Sequence, residues 1–174
     1  GFPDPQFDDT DFVDLAVPSS WHMVDPAGNA PFGRPAYLNT NYPILVPASD
    51  EDIVVPNENP TGCYRHTFEV GKEFTDAKRV LLRFEGVDSF ARVWFNGVEL
   101  GWTKGSRLTS EFDVTSQLRS GRNVLAVAVS QWSDGTFLED QDMWRISGIF
   151  REVTLLARPY GGIDDLFVHA SWDG

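Results

Sequence analysis

A single cysteine, Cys63, rules out an intramolecular disulfide in this 174-residue chain and fits a reducing compartment, so a cytoplasmic location is expected. Basic residues are scarce. Fourteen Lys and Arg stand against 26 Asp and Glu, a net charge of −12 with no basic stripe to offset it, which excludes nucleic acid and anionic lipid as partners. No apolar run approaches the ~18 residues that would span a membrane. The histidines His22, His66 and His169 show no metal-ligand spacing, and there is no Gly-rich phosphate loop. Ser19, Ser20 and Cys63 lack the partner pattern of an activated nucleophile. A long helical period is also missing, which excludes a helical bundle.

What remains is a β pattern. Hydrophobic residues at 41% and aromatics at 13% describe a folded domain with a sizeable core, and 15 Gly with 11 Pro imply many turns and short strands. Residues 1–17 read as an irregular arm leading into a first strand at 12–17, FVDLAV, and residues 18–174 read as one β-sandwich. Residues 18–59 hold seven prolines, Pro18 to Pro56, and are expected to form a wrapped loop with at most short edge strands. Trp21, Phe32, Tyr37 and Tyr42 would pin that loop to the sandwich. Strands are expected at 64–70, 80–84, 90–95, 98–102, 123–132, 150–157 and 163–171. Asn96-Gly97 signals a type I′ hairpin turn, because both positions must take positive φ. Asp113 or Thr115 could cap one helical turn through Leu118, closed by Gly121. About eight or nine strands without long helices give an all-β fold of two antiparallel sheets. Cys63 is expected as a small buried hydrophobe.

The most informative stretch is 132–153, WSDGTFLEDQDMWRISGIFREV. It places Asp134, Glu139, Asp140 and Asp142 among large apolar side chains, where unpaired charge is costly. Arg145 and Arg151 are the nearest counter-charges in sequence. Glu139 and Asp140 point to opposite sides of an extended stretch and make a poor glycosidase acid pair. One of them is expected instead to receive an arginine or backbone N–H groups.

Taken together, WSDG, LEDQDMWR and SGIFR, the segment 59–64 (NPTGCY), FNGVELG and SRLTSEFD at 106–113 resemble the N-terminal domain of the large bacterial β-galactosidases of glycoside hydrolase family 2. The resemblance runs in matching order over roughly residues 18–170. It implies a jelly-roll β-sandwich of the galactose-binding type. It also implies catalytic carboxylates on a (β/α)8 barrel, which alone needs about 250 residues and so cannot lie within this chain.

The same resemblance implies site residues. Asp142, in LEDQD, would contact a sodium ion and galactose hydroxyls; a carboxylate is both a hard oxygen ligand and a strong hydroxyl acceptor. Without the resemblance, an acid paired with Arg145 or Arg151 explains it as well. Asn39, in YLNTNYPI, would place an amide beside the substrate, while turn roles for Asn39 and Asn41 are the alternative. Asp134 matches a structural magnesium position, but Lys104 stands where the family has a glutamine and would repel that ion; a turn role before Gly135 is the alternative.

The expected function is a non-catalytic sugar-binding domain, part of a larger enzyme, completing one side of a galactoside pocket, with the catalytic barrel of that longer chain and a homo-oligomer as partners. The alternative is a free-standing carbohydrate-binding module using Trp102 or Trp172.

Overall fold

The structure is a computed structural model that describes residues 1–24, 32–37, 54–139, 142–163 and 165–173. Its elements in chain order are a 3-10 turn at Trp21–Met23, β1 (Ala36–Tyr37), β2 (Thr61–Val70), α1 (Lys72–Thr75), β3 (Arg79–Phe84), β4 (Phe90–Phe95), β5 (Val98–Lys104), β6 (Ser110–Asp113), β7 (Gly121–Ser130), α2 (Gly135–Leu138), β8 (Trp144–Arg145) and β9 (Val153–Arg158). One sheet has the order β2-β7-β4-β5, another β6-β3-β9, and β1 pairs with β8. All these pairings are antiparallel. The two larger sheets form a jelly-roll-type β-sandwich.

Period-2 alternation builds the core. Ala91, Val93 and Phe95 of β4 lie opposite Val129, Val127 and Leu125 of β7, and all six are buried. Val80, Leu82 and Phe84 of β3 join the same apolar cluster, with Phe112, Val153 and Leu155 packed against it from β6 and β9. Burial of such side chains stabilises by roughly 1.5–3 kcal/mol each.

The Asn96-Gly97 hairpin forms as the sequence reading expects, with φ of 51° and 85°. Asn96 also closes the core. Its amide nitrogen donates to Gln117 O and to Asn123 Oδ1, both at 2.8 Å, and its Oδ1 accepts from Val124 N–H at 2.9 Å. Asn123 is wholly buried, donates to the carbonyls of Arg119 and Gly121, and accepts from Arg119 N–H. Every polar atom of this buried amide pair is thus satisfied, as a dry interior requires.

The arm is not a strand. Residues 12–17 join no sheet, and the arm instead crosses the outer face of the four-stranded sheet. Arg65 of β2 anchors it there. Its Nε donates to Asp9 Oδ2 at 2.8 Å, its Nη1 to the carbonyls of Phe2 and Asp4, and its guanidinium lies over the Phe7 ring. Phe2 meets Trp94 edge-on. The arm's own turns have Asp4 and Asp8 side chains accepting backbone N–H groups two residues on.

Three further expectations are corrected. The described residues of 163–171 join no strand; Leu166, Phe167 and Val168 stand exposed because no described edge accepts them. The single turn expected through Leu118 forms, with Leu118 N–H on Val114 O and Asp113 Oδ1 accepting Thr115 N–H, but Gly121 opens β7 rather than ending that turn. Cys63 is exposed, since it shares the outward parity of Arg65 on β2 while Tyr64 and Phe68 face the core.

Candidate functional site

The stretch 132–150 is threaded between the proline-rich segment and the start of β4. Backbone bonds hold it on both sides: Ser19 N–H to Ile149 O at 2.9 Å, Trp21 N–H to Ser147 O at 3.1 Å, and a reciprocal pair at 3.0 Å between Asp88 and Gly148. The buried His22 ring accepts from Ser147 N–H at 3.2 Å, and burial holds its pKa below the ordinary value, so it is neutral in the fold. Asn59 adds a second clamp. Its amide donates to Trp132 O and accepts from Trp132 N–H, both at 2.8 Å, imitating a strand neighbour. Gly148 has φ +138°, and a Cβ there would lie 2.8 Å from Ser19 O, so no other residue fits this crossing.

Asp134 is the N-cap of α2, its carboxylate accepting Gly135 N–H at 3.0 Å, and its other oxygen takes Lys104 Nζ at 2.6 Å. These contacts, the ammonium first, hold its carboxyl below the usual range. A divalent cation would have to displace an ammonium already in place, and the described residues contain no group of three acids, histidines or cysteines that could hold a metal. The residues here do not fit magnesium.

Glu139 behaves as expected for an acid receiving backbone and arginine donors. It accepts from Ser106 N–H at 2.9 Å, from Ser106 Oγ at 2.6 Å and from Arg107 Nη1 at 3.4 Å. Arg107 also pairs with Asp88 at 2.9 Å and lies over Phe150. Burial pushes Asp88 up to about 6, against the pull of Arg107. A shallow recess lies above these groups, lined also by Trp132, Met143 and Trp144. Glu139 thus takes its counter-charge from Arg107, which lies outside the stretch. Arg151 instead donates to the carbonyls of Glu85 and Arg107. Sequence reading passed over Asp88 and Arg107; the signal available was SRL beside the motif, whose arginine needed a partner.

Asp142 stands apart from this network, exposed at the start of β8. Its Oδ1 accepts the phenol proton of Tyr37 at 2.6 Å, so its partner is a phenol rather than a guanidinium. Tyr37 lies opposite Trp144 in the β1–β8 pair, and their rings are 5.7 Å apart. Asn39 falls outside the described residues, two positions beyond Tyr37. With Asp88 and Glu139 tied up in internal contacts and Asp134 paired with Lys104, the carboxylate of Asp142 is presented outward, able to accept hydroxyl protons or give one oxygen to a hard cation.

A family model described as "Glycosyl hydrolases family 2, sugar binding domain" matches residues 6–159. A β-galactosidase of Arthrobacter sp. (strain B7) is 46% identical over 170 residues, 97% of this chain and 16% of that protein. One of Vibrio cholerae is 43% identical over 171 residues, 98% of this chain and again 16% of the relative. The chain thus spans about a sixth of the length of these relatives. Among solved structures, a Bacteroides uniformis β-glucuronidase 2 superposes with a TM-score of 0.65 at 23% identity, over 91% of this chain and 16% of that one. A β-glucuronidase of an uncultured Clostridium sp. gives 0.62 at 24%, over 91% of this chain and 25% of that one. These last likenesses concern the fold.

Proposed function

Since this chain belongs to the sugar-binding domains of glycosyl hydrolase family 2, we propose that it is the non-catalytic sugar-binding domain of a β-galactosidase, closing one side of the galactoside pocket. Catalysis by retaining hydrolysis falls to carboxylates on a barrel elsewhere in the longer protein. The observation that carries the reading is Asp142. Where Asp134 is held by Lys104, and Glu139 by Ser106 and Arg107, the carboxylate of Asp142 is exposed and steadied by Tyr37.

In this reading Asp142 and Asn39 contact the galactose hydroxyls. Asp142 also gives one oxygen to a sodium ion whose remaining ligands come from the barrel. The barrel is the principal partner, with a homo-oligomer of the whole enzyme built around it, and the single cysteine suits the cytoplasm. The described residues include no helix long and apolar enough to cross a membrane.

The test is Asp142→Asn in the longer enzyme. A fall in kcat/KM of about tenfold or more for a galactoside, with weakened sodium dependence, is expected when a charged hydroxyl acceptor is lost. Unchanged turnover and sodium response would end the assignment. Galactose-induced NMR shifts centred on Trp102 or Trp172 in the isolated chain would favour a free-standing carbohydrate-binding module instead. Trp102 is the better placed of the two for that role: it is exposed, stacked on Phe90 and flanked by Lys104.

A further inference from the structure

Asp142, Tyr37 and Trp144 form one exposed cluster, and it asks for more than a lone carboxylate. Tyr37 and Trp144 are large aromatics left 45% and 57% open to solvent, although they face each other across a two-residue ladder. The ladder is too short to be the reason for two such rings, since an isolated two-stranded pair of this size contributes little. The phenol reaches over the ring pair to Asp142, at 2.6 Å from Oδ1. No other described residue makes a polar contact to that carboxylate, so among the described residues it is the phenol that sets which oxygen is engaged. An exposed carboxylate on a free rotor would lose side-chain entropy on meeting a ligand. One held by a neighbour whose backbone is fixed in a ladder has already lost part of it.

We infer that Tyr37 is a positioning residue for the sugar contact: its hydroxyl holds Asp142 by Oδ1 so that Oδ2 faces the ligand, and its ring with Trp144 forms the apolar flank for the C–H face of the same sugar. This inference rests on the reading of Asp142 given above. The ligand chemistry it requires is a pyranose, with adjacent hydroxyls for the carboxylate and an apolar face for the rings. Aromatic rings suit the second task because they present a broad, rigid apolar surface at the cost of few rotors.

The experiment is a double-mutant cycle in the longer enzyme with Tyr37→Phe, Asp142→Asn and the pair, followed by Trp144→Ala. Melting temperatures for each variant check the fold. Tyr37→Phe keeps the ring and loses the hydroxyl. It is expected to raise KM for a galactoside about tenfold, with a smaller change in kcat, and to have almost no further effect once Asn occupies position 142. Trp144→Ala is expected to raise KM in either background. If Asp142→Asn is impaired but Tyr37→Phe is silent, or if the two effects simply add, the positioning role is wrong while the sugar contact stands. If Asp142→Asn itself is silent, the failure belongs to the earlier reading. A Tyr37→Phe enzyme that loses kcat and KM only in step with its melting temperature would show a structural role and also overturn the inference.

Discussion

The phenol of Tyr37 donates to Oδ1 of Asp142 at 2.6 Å, across 105 positions of sequence. This bond fastens the proline-rich segment to the acidic stretch at the point where the acid faces outward. The same two segments are stitched further back by Trp21 on Ser147 and Ser19 on Ile149. The exposed carboxylate therefore stands on a doubly anchored base, which is what a binding residue on irregular backbone needs.

Asp88 should titrate near 6, and its carboxyl ¹³C shift followed against pH would show it. A folded-state pKa raised from 3.8 to about 6 means the folded chain binds the extra proton first. This contribution to stability is full below about 4 and is lost as pH rises through 6, a loss of about 2–3 kcal/mol. Asp88→Asn should flatten the stability curve in that window. His22 acts in the opposite sense: its lowered pKa makes the fold lose stability as pH falls through 6.5. A single midpoint near 4 in the Asp88 titration would contradict the burial described here.

Asn123→Ala should cost about 3 kcal/mol or more in urea unfolding. It orphans Arg119 N–H, two carbonyls and one amide proton of Asn96, at about 1–3 kcal/mol for each buried group left unpaired. A loss below 1 kcal/mol would mean water replaces the amide.

Gly148→Ala should be among the most damaging single-methyl changes in the chain. The new Cβ would meet Ser19 O at 2.8 Å and Tyr64 OH at 3.1 Å, on a backbone at φ +138°. A loss of at least ~3 kcal/mol is expected from strain and clash together. Thermal unfolding measures it.

Lys104→Gln should cost at most about 0.5 kcal/mol, because the pair with Asp134 is exposed. Millimolar magnesium should leave the melting temperature of the unmodified chain unchanged, whereas a bound divalent ion would raise it. Such a rise would show that the ammonium yields its place.

Arg65→Ala should release the arm. Limited proteolysis should then cut within residues 1–12 much faster, because Asp9 and the carbonyls of Phe2 and Asp4 lose their common donor.

The sandwich was legible because its strands read clearly: β4 buries alternate residues, β7 is a nearly continuous apolar run buried through its middle, and Asn-Gly marks the β4–β5 hairpin. That either Glu139 or Asp140 would be satisfied internally was legible because adjacent acids on opposite sides cannot share a task; the structure shows Glu139 in that role. Its actual partners were not legible. Ser106 and Arg107 lie more than 30 positions away, and such pairing depends on how a loop folds over a sheet rather than on any period. The segment 12–17 misled because alternation only states that a strand is possible. In the fold these residues join no sheet, and the arm before them is held by Asp turns and by Arg65. At 163–171 the pattern is equally good, but a ladder needs a neighbour, and sequence does not say where one is.

The central place of β7 has a consequence in time. It must pair with β4, about 30 residues behind it, and with β2, roughly 60 residues behind, before the four-stranded sheet exists. Closing the longer span yields no reward until the register locks, so the β4–β5 hairpin, with its two-residue turn, forms early and β2 docks late. Refolding from urea should take milliseconds to seconds rather than microseconds. Substitutions in the hairpin should slow folding, whereas those on β2 should chiefly speed unfolding.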